Sequence, residues 1–168
     1  PLYGAARPAE GRRITVEPIK IKPYLRKVQF YETDGMGIVH HANYIYWMEE
    51  ARTDLMDQLG WGYDKAVEAG IDFALTEVNC KYRSMTPFGE TVAITVTVTR
   101  LTPARVDLHY DITSAADGTL RAQGESRHFF YDRAKGAPVA LKKVLPEVYG
   151  RLAALLGHPE ERKDNGKA

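Results

Sequence analysis

A chain of 168 residues with 44% hydrophobic and 27% charged side chains is long enough to bury one core and suits a single globular domain. With 23 basic against 22 acidic residues it carries no overall field for nucleic acid or an anionic membrane surface, so any basic patch is local. Its single cysteine, Cys80, has no partner for an intramolecular disulfide and no zinc-type spacing around it, which fits a reducing cytoplasm.

The opening stretch PLYGAARPAEGRRITVEPIK lacks the apolar run of a signal peptide. No segment approaches the roughly 20 apolar residues that span a bilayer, so a soluble, unexported protein without membrane insertion is expected. Residues 1–21 mix Pro, Gly and charge without periodicity and read as a flexible arm; the tail 159–168 reads likewise, leaving one domain over 22–158. KPYLRKVQFYE, residues 22–32, alternates as a first strand does. Ile45, Met48, Ala51, Leu55 and Leu59 then recur at spacings of three and four, which predicts a long helix ending near Gly60. Tyr44, Trp47 and Met56 widen its apolar surface beyond one stripe, so the helix is expected to be wrapped on several sides. A short helix, DKAVEA, closes at Gly70.

Four strand-like runs follow, at about 73–83, 90–101, 105–113 and 119–131, with no further helix until Pro146 opens EVYGRLAALL. TVAITVTVTR is the clearest, with Val92, Ile94, Val96 and Val98 on one face and threonines on the other. Short Pro- and Gly-containing links (Pro87 with Gly89, Pro103, Asp117-Gly118) predict an antiparallel four-strand meander. The expected class is α+β, one antiparallel sheet curled around a long central helix.

The polar chemistry is concentrated in TDGMGIVHHANY, residues 33–44, between the first strand and that helix. Asp34 leaves the strand, and Gly35 and Gly37 leave the backbone uncovered near a helix N-terminus, where unpaired N–H groups can meet a carbonyl or anion. A carboxylate beside such donors suits acyl transfer, as attacker or as activator of water. His41 and Asn43 can orient water or substrate or shuttle a proton. An Asx turn at Asp34, with His41 and Asn43 satisfying the first helical turn and His40 facing solvent, accounts for the same residues without chemistry. Glu49 and Glu50 on the helix are the rivals to Asp34 as the acid.

The run FYETDGMGIVHHANYIYWMEEAR closely resembles the motif of hotdog-fold acyl-CoA thioesterases, specifically the 4-hydroxybenzoyl-CoA thioesterase family and its Tol-Pal-associated relatives. The likeness runs in element order from Tyr24 to Tyr131, and YRSMTPFGE and ESRHFFYD share it. The resemblance implies a thioester hydrolase in which Asp34 is the catalytic carboxylate, nucleophile or general base. It puts His41 on the Tol-Pal-branch histidine, and Gly37, Ile38, Val39, Asn43 and Tyr44 where substrate meets the helix. It implies a homodimer with the active site between protomers, and by extension a homotetramer. Coenzyme A comes as part of the substrate and no further cofactor or metal is required. Phe30 departs from the tyrosine of some members, and the hairpin at LTPAR lacks a basic cluster at its tip. Lys81, Arg83, Arg100 and Arg105, at strand ends, are the candidates for the coenzyme A phosphates. Trp61, Phe73, Tyr82 and Phe88 are candidates for lining an acyl pocket. A hotdog dehydratase, an acyl carrier protein thioesterase and a non-catalytic acyl-binding protein are the alternatives.

Overall fold

The computed structural model describes residues 19–157; the predicted tail, and the predicted arm apart from residues 19–21, lie outside the described residues. Ile19 and Ile21 pack against the core. Strand β1 is Tyr24–Lys27, shorter than the predicted 22–32. Past Lys27 the chain tightens into a 3-10 turn, Phe30–Glu32, because the Glu32 carboxylate turns back to accept the Gln29 amide (2.7 Å). Alternation alone could not reveal a strand cut short by a buried acid.

Helix α1, Asn43–Gln58, buries Tyr44, Trp47, Met48, Ala51 and Leu55, the three-four spacing of the sequence. Helix α2, Tyr63–Ala69, closes at Gly70 as expected. The long strands are β2 (Ile71–Tyr82), β3 (Thr91–Leu101), β4 (Arg105–Ser114) and β5 (Leu120–Asp132). A two-residue strand β6, Ala137–Pro138, and two short helices complete the described chain: α3, Leu141–Val144, which the sequence reading missed, and α4, Pro146–Ala153.

All strand pairs are antiparallel and the order is β1-β3-β4-β5-β2, with β6 on the end of β5. The predicted meander is therefore corrected: β3, β4 and β5 form one, but β2 pairs with β5 and not with β3. The link from β2 to β3 does not turn back, because it is stitched to the segment before α1. Val39 N donates to Thr86 O (2.9 Å), Phe88 N to Gly37 O (3.4 Å), and Val28 N to Glu90 O (2.9 Å). The link thus crosses below the start of α1 and delivers β3 to the far side of the sheet.

Alternation decides which face meets the helix. Val92, Ile94 and Val98 on β3, Val106, Leu108, Tyr110 and Ile112 on β4, and Phe130 on β5 are buried in one core with the apolar residues of α1. Register shifts at Leu75/Glu77, Val98/Arg100 and Ile112/Thr113 mark irregularities that increase local twist and help the sheet curl around α1. At Gly124 on β5 the helix comes so close that a Cβ would collide with the Met48 side chain and stand 2.7 Å from the Asn79 carbonyl oxygen.

One polar chain runs through this core. Tyr110 Oη and Ser126 Oγ lie 2.8 Å apart, and Ser126 Oγ is 2.8 Å from His128 Nε2; all three residues are buried. Burial, and secondarily the nearby Arg52 charge, lowers His128 from its ordinary 6.5 to about 4. His128 is thus neutral in the folded chain where the unfolded chain binds a proton. Its contribution is complete above pH 6.5, is lost as pH falls toward about 4, and does not change further below. Urea unfolding across that window is expected to lose about 3 kcal/mol from this residue. The loss is read as the difference in slope between the native chain and His128→Gln, and equal slopes would contradict it.

Candidate active site

Glu32 is 3% exposed and anchors the site from both its ends. Its carboxylate accepts Arg26 Nη2 (2.7 Å), Gln29 N (2.7 Å) and the buried Trp47 Nε1 (2.9 Å). Its carbonyl accepts His40 N (2.8 Å) and Asn43 Nδ2 (2.8 Å). The loop between Glu32 and Asn43 is therefore pinned at both ends, and Asp34 and His41 ride on it. Arg26 also meets Glu50 (3.0 Å), whose carboxylate accepts the Tyr24 hydroxyl (3.0 Å).

Within the loop Asp34 Oδ1 accepts the Met36 amide (2.8 Å), the Asx turn expected of this residue type. Gly37 follows at φ 73°, the left-handed region that glycine enters without strain, and its amide closes on Asp34 O (3.0 Å). The chain then returns antiparallel, with Asp34 N donating to Ile38 O (2.9 Å).

A cleft of about 320 Å³ opens here, and it brings together Asp34, Ile38, Val39, His41, Tyr44 and Arg83 of the predicted residues. Among the described residues the Ile38 and His41 amides have no hydrogen-bond partner, whereas the Val39 amide is used by Thr86 O (2.9 Å) and Gly37 does not line the cleft. Tyr44 Oη lies 2.8 Å from Thr86 Oγ1, and burial raises its phenol above the ordinary range. The exposed His41 ring lies 4.0 Å from that of His40, centroid to centroid. His40 accepts the Ala42 amide through Nδ1 (3.2 Å), so it has a local partner besides facing solvent.

Tyr82, Ser84 and Met85 also line the cleft. Of these the sequence pointed only to Tyr82, as an aromatic; Ser84 and Met85 lay in the family-like YRSMTPFGE without a role. The Tyr82 hydroxyl donates to His41 O (2.9 Å), and its partial burial, with the Cys80 thiol beside it, pushes it up to about 12. It is thus a fixed donor that ties the end of β2 to the loop.

The other candidates stand elsewhere within one chain. Asn43 spends its amide on Glu32 O and His40 O, and it does not line the cleft. Lys81 alternates with Tyr82 and stands on the opposite face of the sheet. Arg100 and Arg105 are at the far end: Arg105 pairs with Phe129, which pairs with Ala74, eight positions along β2 from Tyr82. The β3–β4 hairpin and the cleft are at opposite ends of antiparallel strands, so one chain does not bring these arginines to Asp34. Glu50 is held by Arg26 and Tyr24, and Glu49 opens on a different cleft with Trp61 and Phe73. Phe88 packs edge-on to Phe30, centroids 5.8 Å apart, outside the cleft. Among the described residues no group of three or more His, Cys, Asp or Glu is placed to hold a metal ion, and no helix is long and apolar enough to cross a membrane.

A curled antiparallel sheet around a central helix, with a carboxylate cleft at the helix entrance, is the hotdog arrangement of thioester hydrolases. A family model described as the thioesterase-like superfamily matches residues 28–151, and the chain belongs to that superfamily. It is 31% identical over 121 residues, 72% of this chain and 87% of the other, to a Bacillus subtilis (strain 168) protein named "Putative acyl-CoA thioesterase YneP". It is 26% identical over 150 residues, 89% of this chain and 98% of the other, to a 1,4-dihydroxy-2-naphthoyl-CoA hydrolase of Thermosynechococcus vestitus. Among solved structures, the DHNA-CoA thioesterase of Staphylococcus aureus superposes with a TM-score of 0.73 at 27% identity, covering 80% of this chain and 91% of that one. The chain is accordingly a thioester hydrolase.

Glu32→Gln keeps the shape of the anchor but sets an amide group against Arg26 or the Gln29 amide. A loss of about 3 kcal/mol is expected, the cost of breaking a buried ion pair. Urea denaturation checks it, and a change within error would show that the carboxylate does not hold the loop.

Proposed function

We propose that the chain hydrolyses an acyl-CoA thioester to a free acid and coenzyme A, with Asp34 as the carboxylate that drives the reaction. The observation that carries this is the Asp34 carboxylate sharing one cleft with Ile38 and His41, whose backbone N–H groups have no partner among the described residues. Such donors match the negative charge that grows on a thioester oxygen as the carbonyl carbon is attacked, and one of them is worth roughly 3 kcal/mol in the transition state.

As general base, Asp34 takes a proton from water as the water oxygen bonds to the carbonyl carbon; the C–S bond then breaks and the proton passes to the departing thiolate. As nucleophile, Asp34 bonds to the carbonyl carbon and the C–S bond breaks, giving a mixed anhydride and the coenzyme A thiolate. Water then opens the anhydride, releasing the free acid and the Asp34 carboxylate, and its proton passes to the thiolate. His41 is placed to orient the water or carry the proton, in keeping with the Tol-Pal-associated branch that its position resembles. Arg83, exposed at the cleft, is the cation among the described residues lining it that can meet a coenzyme A phosphate. The chemistry calls for neither metal nor redox cofactor, and a cytoplasmic setting goes with such a substrate.

Two copies pair through β2 in this reading. That strand ends the path of the sheet, and a two-fold pairing along it would set the Ile71 end of one protomer, with its Arg105, beside the Tyr82 end of the other. The basic residues that one chain keeps away from Asp34 would then approach it from the partner. A tetramer of two such dimers rests on the motif resemblance alone.

One observation favours an acyl group borne on a carrier protein as the second reading. Phe30, Tyr31, Met36, Met85 and Phe88 are each more than half exposed, and they lie on the segments that border the cleft. They offer a dry surface to a protein partner.

Free thiol released from aromatic, short-chain and long-chain acyl-CoA thioesters, and from acyl carrier protein thioesters, tests both readings. Asp34→Asn, which retains the turn, is expected to lower kcat by about 10²- to 10⁴-fold with circular dichroism unchanged. An undiminished rate in the variant removes Asp34 from the chemistry, and sedimentation equilibrium showing a monomer removes the β2 pairing.

A further inference from the structure

Gln123 lies on the face of β5 turned away from α1, since its chain neighbours Ala122 and Gly124 are buried on the other side. It stands opposite Asp111 on β4 and Lys81 on β2. Its side chain is half-buried and bonded at both ends: Nε2 donates to Asp111 Oδ1 (2.9 Å) and Oε1 accepts Arg83 Nε (3.3 Å). The same Asp111 oxygen lies 3.1 Å from His109 Nε2. A polar ladder thus runs from His109 and Asp111 in β4, across Gln123 in β5, to Arg83, which follows β2 and lines the Asp34 cleft.

The ladder has a direction. An ionised carboxylate only accepts, so Asp111 takes the nitrogen end of the Gln123 amide and leaves the oxygen end facing Arg83. That oxygen engages the guanidinium through Nε, and among the described residues Nη1 and Nη2 of Arg83 have no hydrogen-bond partner. Nor does any carboxylate among the described residues lie within ion-pair distance of Arg83. A neutral acceptor therefore fixes the side chain without cancelling its charge, and the terminal fork stays open to an anion. An exposed arginine that is ordered only on binding gives back part of each phosphate contact as lost side-chain entropy. One that is held beforehand gives back less.

We propose that Gln123, oriented by Asp111, is a positioning residue that holds Arg83 ready for a phosphate of coenzyme A. The proposal rests on the acyl-CoA reading above. It agrees with the β2 pairing, because Gln123 lies one strand in from that edge. The acid that the pairing would bring toward the Tyr82 end from the other protomer is Asp72, and it is already held by Arg133 (2.8 Å).

Coenzyme A itself is the probe, since calorimetry reads its binding whether or not a thioester is hydrolysed. Gln123→Met keeps the length and the net charge but removes the acceptor, and it is expected to weaken coenzyme A about threefold. Arg83→Met is expected to weaken it about tenfold. The variant carrying both changes should bind no worse than Arg83→Met, because Gln123 acts through Arg83. Gln123→Glu keeps an acceptor but sets a charge against the guanidinium, and a loss of about fivefold is expected. In hydrolysis by Gln123→Met the loss should fall on KM for an acyl-CoA and not on kcat, with KM for the matching pantetheine thioester, which lacks the phosphates, unmoved. A general loss of packing would not produce that split. Native-strength binding in Gln123→Met, or a further threefold loss when it is added to Arg83→Met, would overturn the inference and leave the acyl-CoA reading standing. A native chain that neither binds coenzyme A nor releases thiol from its thioesters would end that reading, and the inference with it.

Discussion

The buried carboxylate of Glu32 is the group on which the other parts depend. It bonds to β1 through Arg26, to the 3-10 turn through the Gln29 amide and to the first half of α1 through Trp47, while the carbonyl of the same residue holds the loop that carries Asp34 through His40 N and Asn43 Nδ2. An acid that is 3% exposed is stable only when its lone pairs are filled. Arg26, Gln29 and Trp47 fill them, and in doing so they fix how the strand ends, how the helix is rotated and where the loop begins. The link before β3 is stitched to that loop, so the position of the far half of the sheet follows from the same anchor.

Much of the fold was legible because burial is periodic. The apolar positions of α1 and the alternation of β3 each read in one way, and the structure buries those residues, with Ile45, Met56 and Val96 half-buried at the margin of the core. The misreadings have a shared cause. The strand cut at Lys27 and the β2–β5 pairing are decided by contacts between residues far apart in sequence, Glu32 with Trp47 and Thr86 with Val39, which leave no local pattern. A link with Pro and Gly looks the same whether it turns back or crosses the sheet.

The site was legible in a similar proportion. Asp34, Ile38, Val39, His41 and Tyr44 come from one short run, and a loop closed by hydrogen bonds at both ends has to bring them together. Asn43 was legible in position but not in role, because an amide facing the protein and one facing substrate look alike in a sequence. Arg100 and Arg105 stand away from Asp34 within one chain because β3 runs opposite to β2, which puts the β3–β4 hairpin at the end of the sheet remote from Tyr82 whatever the strand order.

Glycine in the middle of a long strand usually weakens it, yet Gly124 sits where β5 is paired on both sides. The space it leaves is taken by Met48 from α1. Position 124 and position 48 therefore form one unit of shape, a hollow and the flexible side chain that fills it. The Asn79 carbonyl oxygen closes the same space from β2, so a smaller residue on the helix does not by itself admit a larger one on the strand, and position 124 should stay glycine across the family while position 48 varies among long, flexible side chains.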